Sequence, residues 1–523
     1  MPPGPGPLAG QPVALVGASP ALDHARWLLH CLGASVAAPP SAPVLGVQDT
    51  TPAAGAVHVS PGSAAADWAG SGAMALTGPA PGPPALAPGA PASAIAGALA
   101  VFELLSLARG ARDQPPARSG LGLPGPSLLG ERAALAGLSR QAPRSVGGAF
   151  RALRAADGWL GLSLARPDDF GLLPALAAGA PLGDAPVADA LAGGKLAGAP
   201  PSDVLPAGAL AVGGSAGDPW RVVADWLAGT GLETAAARAR LLGLAAAAVP
   251  PGPVPPRRPP VLGTPGGPRD PGPARPLVVD LTSLWAGPLC AHLLGLAGAR
   301  VVKVESLGRP DGTRAGPPAF FGLLHGGHLS VALDFGSPDD LAALRRLLAG
   351  ADVVLEASRP RALRQLGIDA GQYVADGTVW ASITAYGRTG ENGQRIGYGD
   401  DVAAAAGLVA HCGQVPYPVG DAIADPLAGA YAAAAIAAAL LSPRGYLLDV
   451  SMYDVAATAA SAPAAPSAPA QDAEVIATGP GAWAVRTAGQ SVPVRPPRAR
   501  QLHAPAPRLG QHTREVLTRL ARP

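Results

Sequence analysis

The 523-residue chain has only three cysteines, Cys31, Cys290 and Cys412, and they lie far apart. That spacing gives no disulfide framework and no metal knuckle, and it suits a reducing compartment. Charge is scarce as well: 14% of residues are charged and the formal net charge is +2. No basic block stands out, so there is no electrostatic case for nucleic acid or for an anionic membrane surface. Lysine is almost missing, with Lys195 and Lys303 the only two. The longest apolar run, Ala430 to Leu441, is too short and too Ala-rich to span a bilayer. The opening MPPGPGPLAG lacks the basic and apolar regions of a signal peptide. These absences leave the expectation of a cytoplasmic globular protein with no metal site.

Glycine (70) and proline (62) together make about a quarter of the chain, yet 48% of residues are hydrophobic and a core can form. The Gly and Pro cluster and leave periodic apolar segments between them. Residues 1–115 read as strand, helix and strand, a Pro/Ala/Ser-rich loop at 39–66, and a long apolar helix. Residues 116–249 read as a small α+β unit, with a hairpin turning at Asp157-Gly158 and two short helices opened by Asp218-Pro219. Residues 250–276 hold twelve prolines in 27 positions and predict an extended linker. From 277 to 460 strands alternate with helices, the pattern of a parallel α/β sheet with ligands at its strands' carboxyl ends. Residues 461–523 begin with a low-complexity stretch, SAPAAPSAPA, and close with a hairpin-like segment and a helix near Thr513–Leu520.

The chain also repeats itself. VALVGASPALDHARWLLHCLGASV near the start matches VVDLTSLWAGPLCAHLLGLAGARV in its strand–helix–strand layout. ASAIAGALA (92–100) overlays ADPLAGAYA (424–432). The layout is that of one α/β unit written twice, the first copy abbreviated.

DLTSLWAGPLCAHLLGLAGARVVKVE, HGGHLSVALD, EASRPRALRQLGID and GDAIADPLAGAYAAAAIAAALL, in that order, resemble the class III CoA-transferases of the CaiB/BaiF type. YLLDVSMYD and APRLGQHTREVL extend the likeness, and FRALRAADGWLGLSLARPDD is similar to the family's small domain, here displaced upstream. The resemblance implies a Rossmann-like parallel sheet of the class III CoA-transferase type with a smaller α+β domain. It implies transfer of CoA between an acyl-CoA and a small carboxylic acid, with CoA as substrate and product and no tightly bound cofactor. Family members form interlocked dimers, so a fused double copy implies an intramolecular pseudo-dimer or a homodimer.

The family nucleophile, an Asp just before a helix in a G-x-x-x-x-D-x-x-x-G setting, falls on Asp425 in Gly420-Asp-Ala-Ile-Ala-Asp425-Pro-Leu-Ala-Gly429. A carboxylate there attacks the thioester to give a mixed anhydride and expels CoA thiolate. Taken locally, Asp425-Pro426 also reads as a helix N-cap. The matching position of the first copy is Ser93, which makes that copy degenerate. Trp285 and Ala286 open a helix directly after a strand, where N–H groups favour phosphate; the resemblance assigns them to CoA. His325, Gly326, Gly327 and His328 occupy the family's nucleotide loop, where an Asn…Lys-Arg arrangement is usual. Arg359, Arg361, Tyr398 and Asp400 complete the implied CoA set, and Asp400 with Asp401 reads equally as a helix cap. Two alternatives stand beside transfer: an α-methylacyl-CoA racemase, whose His-Asp pair is missing from IGYGDDV, and a CoA-binding pseudoenzyme.

Overall fold

The computed structural model describes residues 6–37, 46–48, 56–58, 62–110, 120–178, 219–270, 272–358, 360–461, 473–487, 489–502 and 504–520. Arg359, Asp218 and the SAPAAPSAPA stretch beyond Ser461 lie outside them.

The first half starts with β1 (Pro12–Val16), α1 (Pro20–Cys31) and β2 (Ser35–Ala37), followed by β3 (Gly46–Gln48) and β4 (Ala56–His58). They make a parallel sheet in the order β2-β1-β3-β4. The supposed loop at 39–66 therefore carries two strands, each of three residues and too short to show a period. Ser19 caps α1 by accepting the Leu22 N–H at 3.2 Å. Two helices follow, α2 (Ala64–Gly70) and α3 (Pro91–Gly110); the second is apolar all round and largely buried.

The small unit comprises α4 (Glu131–Ala136), β5 (Phe150–Arg154), β6 (Trp159–Ser163), α5 (Leu173–Ala177), α6 (Pro219–Ala228), α7 (Leu232–Leu241) and β7 (Ala245–Ala248). Strands β5, β6 and β7 pair antiparallel, and Leu160, Leu162, Trp220, Val223 and Leu227 share a core between sheet and helices. The Asp157-Gly158 turn closes the β5–β6 hairpin, with Ala155 N–H donating to the Gly158 carbonyl at 2.9 Å.

The expected linker contains β8 (Val261–Pro268), which pairs antiparallel with the strand Arg444–Ser451. An edge strand leaves half its N–H groups unpaired, so its prolines are tolerated. Gly266 and Gly267 allow the backbone to lie directly against the carbonyls of Val374 and Ala375. Just upstream, Arg258 pairs with Asp449 at 2.9 Å and Asp454 at 3.4 Å. This proline-rich stretch is therefore packed.

The large sheet then builds through β9 (Leu277–Asp280), α8 (Ala286–Leu296), β10 (Arg300–Ser306), α9 (Pro318–His325), β11 (Leu329–Leu333), α10 (Pro338–Ala349) and β12 (Val353–Glu356). It continues with α11 (Pro360–Gln365), α12 (Ala370–Ala375), β13 (Val379–Thr384), α13 (Gly399–Ala405), a hairpin of β14 (Val409–Cys412) and β15 (Val415–Pro418), α14 (Ala424–Leu441), β16 (Arg444–Ser451) and α15 (Met452–Ser461). The strand order is β11-β10-β9-β12-β13-β16-β8, parallel except where β8 meets β16. All four residues of β9 and of β12 are buried, as central parallel strands covered on both faces require. The direction of winding reverses between β9 and β12, which in open α/β sheets marks the ligand crevice. The chain closes with β17 (Glu474–Gly479), β18 (Ala482–Thr487), β19 (Gln490–Pro493) and α16 (Thr513–Leu520).

Helices α3 and α14 are long and apolar enough to cross a membrane, but both are mostly buried inside the protein. They pack against each other, with α1 on α3 and α8 on α14. The approach is close on both sides and at matching positions. A Cβ on Gly97 would press on the Ala21 carbonyl and lie 3.2 Å from the His24 Cβ. A Cβ on Gly429 would lie 2.6 Å from the Ala286 carbonyl and 3.2 Å from the Leu289 Cβ. When the two pairs of similar segments are overlaid separately, Gly97 falls on Gly429, and Ala21 and His24 fall on Ala286 and Leu289.

Candidate active site

Asp425 is the second residue of α14, and Ile423 is the N-cap without a side-chain cap bond. Asp425 is therefore not the cap that Asp-Pro suggests. Its carboxylate accepts the N–H of Gly399, at the start of the neighbouring α13. Glycine is needed there, because a Cβ at 399 would collide with Asp425 Oδ2 and the Ala422 carbonyl.

The turn that delivers α14 is under constraint. Ala422 sits at φ 43°, in the left-handed region that a non-glycine residue occupies only when its surroundings hold it. Asp400 Oδ1 accepts the Ala422 N–H at 3.0 Å. Thr77, from the first half, accepts the Gly420 N–H at 2.8 Å. Asp421 is fully buried and takes both its oxygens to the guanidinium of Arg132, also from the first half, with Nε donating to Oδ2 at 2.9 Å. That guanidinium lies 5.3 Å from the centroid of the Trp285 ring.

Three carboxylates, Asp421, Asp400 and Asp425, thus act on one arginine, with Asp401 beside Asp400. Asp425 is largely enclosed but keeps an opening to solvent. Burial, with added repulsion from Asp400 and Asp401, pushes its pKa up to about 7 against the pull of Arg132. Asp400 rises to about 6 by burial and the proximity of Asp421. Asp401 rises to about 7, chiefly by burial, although it accepts the Ser163 hydroxyl at 2.8 Å and the Tyr398 N–H at 2.9 Å. Such a site holds a carboxylate that changes charge near neutrality. Once ionised it is poorly solvated.

A second buried cluster shapes the loop after β9. Lys303 is completely buried, 2.9 Å from Asp311 and 3.7 Å from Asp280. Asp311 in turn accepts the N–H of Leu284, whose φ is 71°. This loop delivers Trp285, its ring edge-on to Phe320 at 5.4 Å, and Ala286 at the start of α8.

Of the residues expected from sequence, Trp285, Ala286, Asp400 and Asp425 come together. Tyr398 precedes α13 and points into the field of Arg166 and Asp169 of the small unit. His325 and His328 are buried, and burial pushes His328 down to about 4. The C-terminal part of the chain meets this turn and its neighbours: Gly326 abuts the Ala504 carbonyl, Leu502 packs on Gly322, and Arg500 meets His292 at 2.9 Å. Gly327 remains exposed, whereas the imidazoles are not presented to solvent. Arg361 is exposed on α11. Among the described residues no group of three or more His, Cys, Asp or Glu is arranged to hold a metal. Sequence reasoning missed Arg132, Asp421, Ser163 and Thr77. Arg132, in Gly-Glu-Arg-Ala-Ala-Leu, left only the signal of a charge pair before an apolar run. Ser93, the residue that overlays Asp425 in sequence, is fully buried and donates to Asp67 at 2.6 Å.

Fold and site together define an α/β protein with a carboxylate nucleophile candidate at the head of a buried helix. Residues 276–482 match the model of CoA-transferase family III. A succinate–glutarate CoA-transferase of Agrobacterium fabrum is 32% identical over 200 residues, covering 34% of this chain and 50% of that protein. The human succinyl-CoA:glutarate CoA-transferase is 33% identical over 191 residues, covering 34% and 44%. The crystal structure of a CaiB/BaiF family protein from Brucella suis is 31% identical and covers 35% of this chain and 54% of its own, with a TM-score of 0.34. The chain spans about half the length of the curated relatives it matches.

Proposed function

We propose that this chain transfers CoA between an acyl-CoA and a carboxylic acid, with Asp425 as nucleophile. The observation that carries the reading is the placement of Asp425. It lies inside the segment that matches the family model, at the first turn of α14, largely enclosed yet open on one side. In the reaction an Asp425 oxygen bonds to the thioester carbonyl carbon, the C–S bond breaks, and CoA leaves as thiolate. The thiolate then attacks the Asp425 carbonyl of the anhydride and releases the first acid. The acceptor carboxylate attacks the resulting aspartyl thioester, and returning CoA thiolate takes the new acyl group and frees Asp425. Water must be kept out throughout, which suits an enclosed site.

The finer readings follow the same logic. The strand order 3-2-1-4-5-6 of β9 to β16 supports a Rossmann-like sheet. The matched glycine contacts of α3 and α14 support a duplicated chain whose first copy, with Ser93 in place of the nucleophile, is catalytically silent and pairs with the second as a pseudo-dimer. CoA enters past Trp285 and Ala286. The three separated thiols accord with a cytoplasmic setting. The test supplies an acyl-CoA, a second carboxylic acid and D2O. CoA exchange between the acids without deuterium at the α-carbon is expected, and rapid α-deuteration without an acceptor would assign a racemase instead.

A further inference from the structure

We propose that the first half of the chain completes the Asp425 site through Arg132, which positions the Gly420–Ile423 turn by way of Asp421 and supplies the positive charge facing the Asp425 carboxylate; this rests on the CoA-transfer reading.

The geometry makes Arg132 a fixed group. Its neighbour Glu131 is buried and binds Arg500, with Nη2 donating to Oε2 at 2.8 Å, and Arg500 meets His292 of α8. Helix α4 is thereby pinned to the C-terminal segment and to α8 on one side. On the other, Arg132 grips both oxygens of Asp421, and Trp285 lies 5.3 Å from its guanidinium carbon. A bidentate arginine fixes orientation as well as charge, which a lysine cannot reproduce.

The charged groups acting on Asp425 are Asp400 and Asp401 from α13 and Arg132 from α4, while Asp421 of the turn is paired to Arg132. Of these, Arg132 alone favours the ionised nucleophile. Without it Asp421 would be a buried carboxylate with no cation, and Asp400, Asp401 and Asp425 would repel one another unopposed. Asp421 lies four residues before Asp425, so a shift of that turn also moves the nucleophile. Arg132 is a positioning residue in this account, because it acts through Asp421 and through its field.

The test uses the full chain as wild type, Arg132→Gln and Arg132→Lys. Carbodiimide with an amine labels protonated carboxyls, and peptide mass spectrometry follows the pH dependence at Asp425. CoA exchange is measured over the same pH range. The wild-type labelling midpoint is expected near the pKa of about 7. In Arg132→Gln it should rise by about one pH unit or more, with exchange at pH 7 down at least about tenfold and partly recovered at higher pH. Arg132→Lys should keep the midpoint within about half a unit of wild type and still lose rate. A purely structural arginine would give equal loss at every pH and an unmoved midpoint in Arg132→Gln, and that result overturns the proposal. If Arg132→Gln does not fold, Arg132→Lys decides: a midpoint raised by a full unit despite the retained charge contradicts the role. Labelling as expected with no exchange by wild type at any pH would instead remove the CoA-transfer reading.

Discussion

Replacing Asp425 by Asn separates its chemistry from its place in the helix. The folded protein holds the Asp425 pKa at about 7, above its ordinary value of 3.8. The native state therefore keeps a proton that the unfolded chain releases, and the stability this group contributes is fully present only below about pH 4. It is lost progressively as pH rises toward 7 and stays lost above. A shift of about three units corresponds to an upper bound of about 4 kcal/mol, and the opening to solvent reduces this to about 1–3 kcal/mol. An amide has no such penalty. Asp425→Asn should thus abolish CoA transfer while gaining stability over wild type at pH 8, and the gain should shrink toward pH 5. Urea or thermal unfolding of both proteins at the two pH values measures it. A helix-capping or dipole role predicts the opposite sign, with the variant losing stability as pH rises. An Asn variant less stable than wild type at pH 8 would refute the reasoning.

Gly97→Ala and Gly429→Ala should each destabilise by about 1–3 kcal/mol, since either Cβ enters a carbonyl contact that the packed helices cannot relieve; chemical denaturation checks both, and a neutral result at one position would break their equivalence. Ser93→Ala should leave the exchange rate within about twofold and cost about 1 kcal/mol for the lost bond to Asp67. A large loss of rate would mean the first half takes part in catalysis.

Much of the large sheet was legible in sequence because β9 to β13 alternate with helices whose caps are local, such as Ser337 accepting the Asp340 N–H ahead of α10. The position of Asp425 in the first turn of α14 was legible through its motif. Its environment was not, because Arg132, Thr77 and Ser163 reach it across 238 to 343 residues of chain, and no local pattern encodes such contacts. The prolines of 250–276 misled for a related reason. Composition records their inability to pair within a sheet, while an edge position beside β16 removes that requirement. The HGGH imidazoles are buried, His325 against the Phe321 ring at 4.4 Å and against His328 at 5.7 Å, which the sequence of the turn does not show. Short strands such as β3 and β4 carry too few residues for a period, and their pairing depends on β1.

The central claim is a covalent step at Asp425. Incubating the full-length protein with an acyl-CoA and hydroxylamine should convert an acylated carboxylate into a hydroxamate, read by peptide mass spectrometry. An adduct is expected on the peptide bearing Asp425, formed only when acyl-CoA is present and missing from Asp425→Asn. Turnover of acyl-CoA without that adduct, or an adduct on another carboxylate, would contradict that claim.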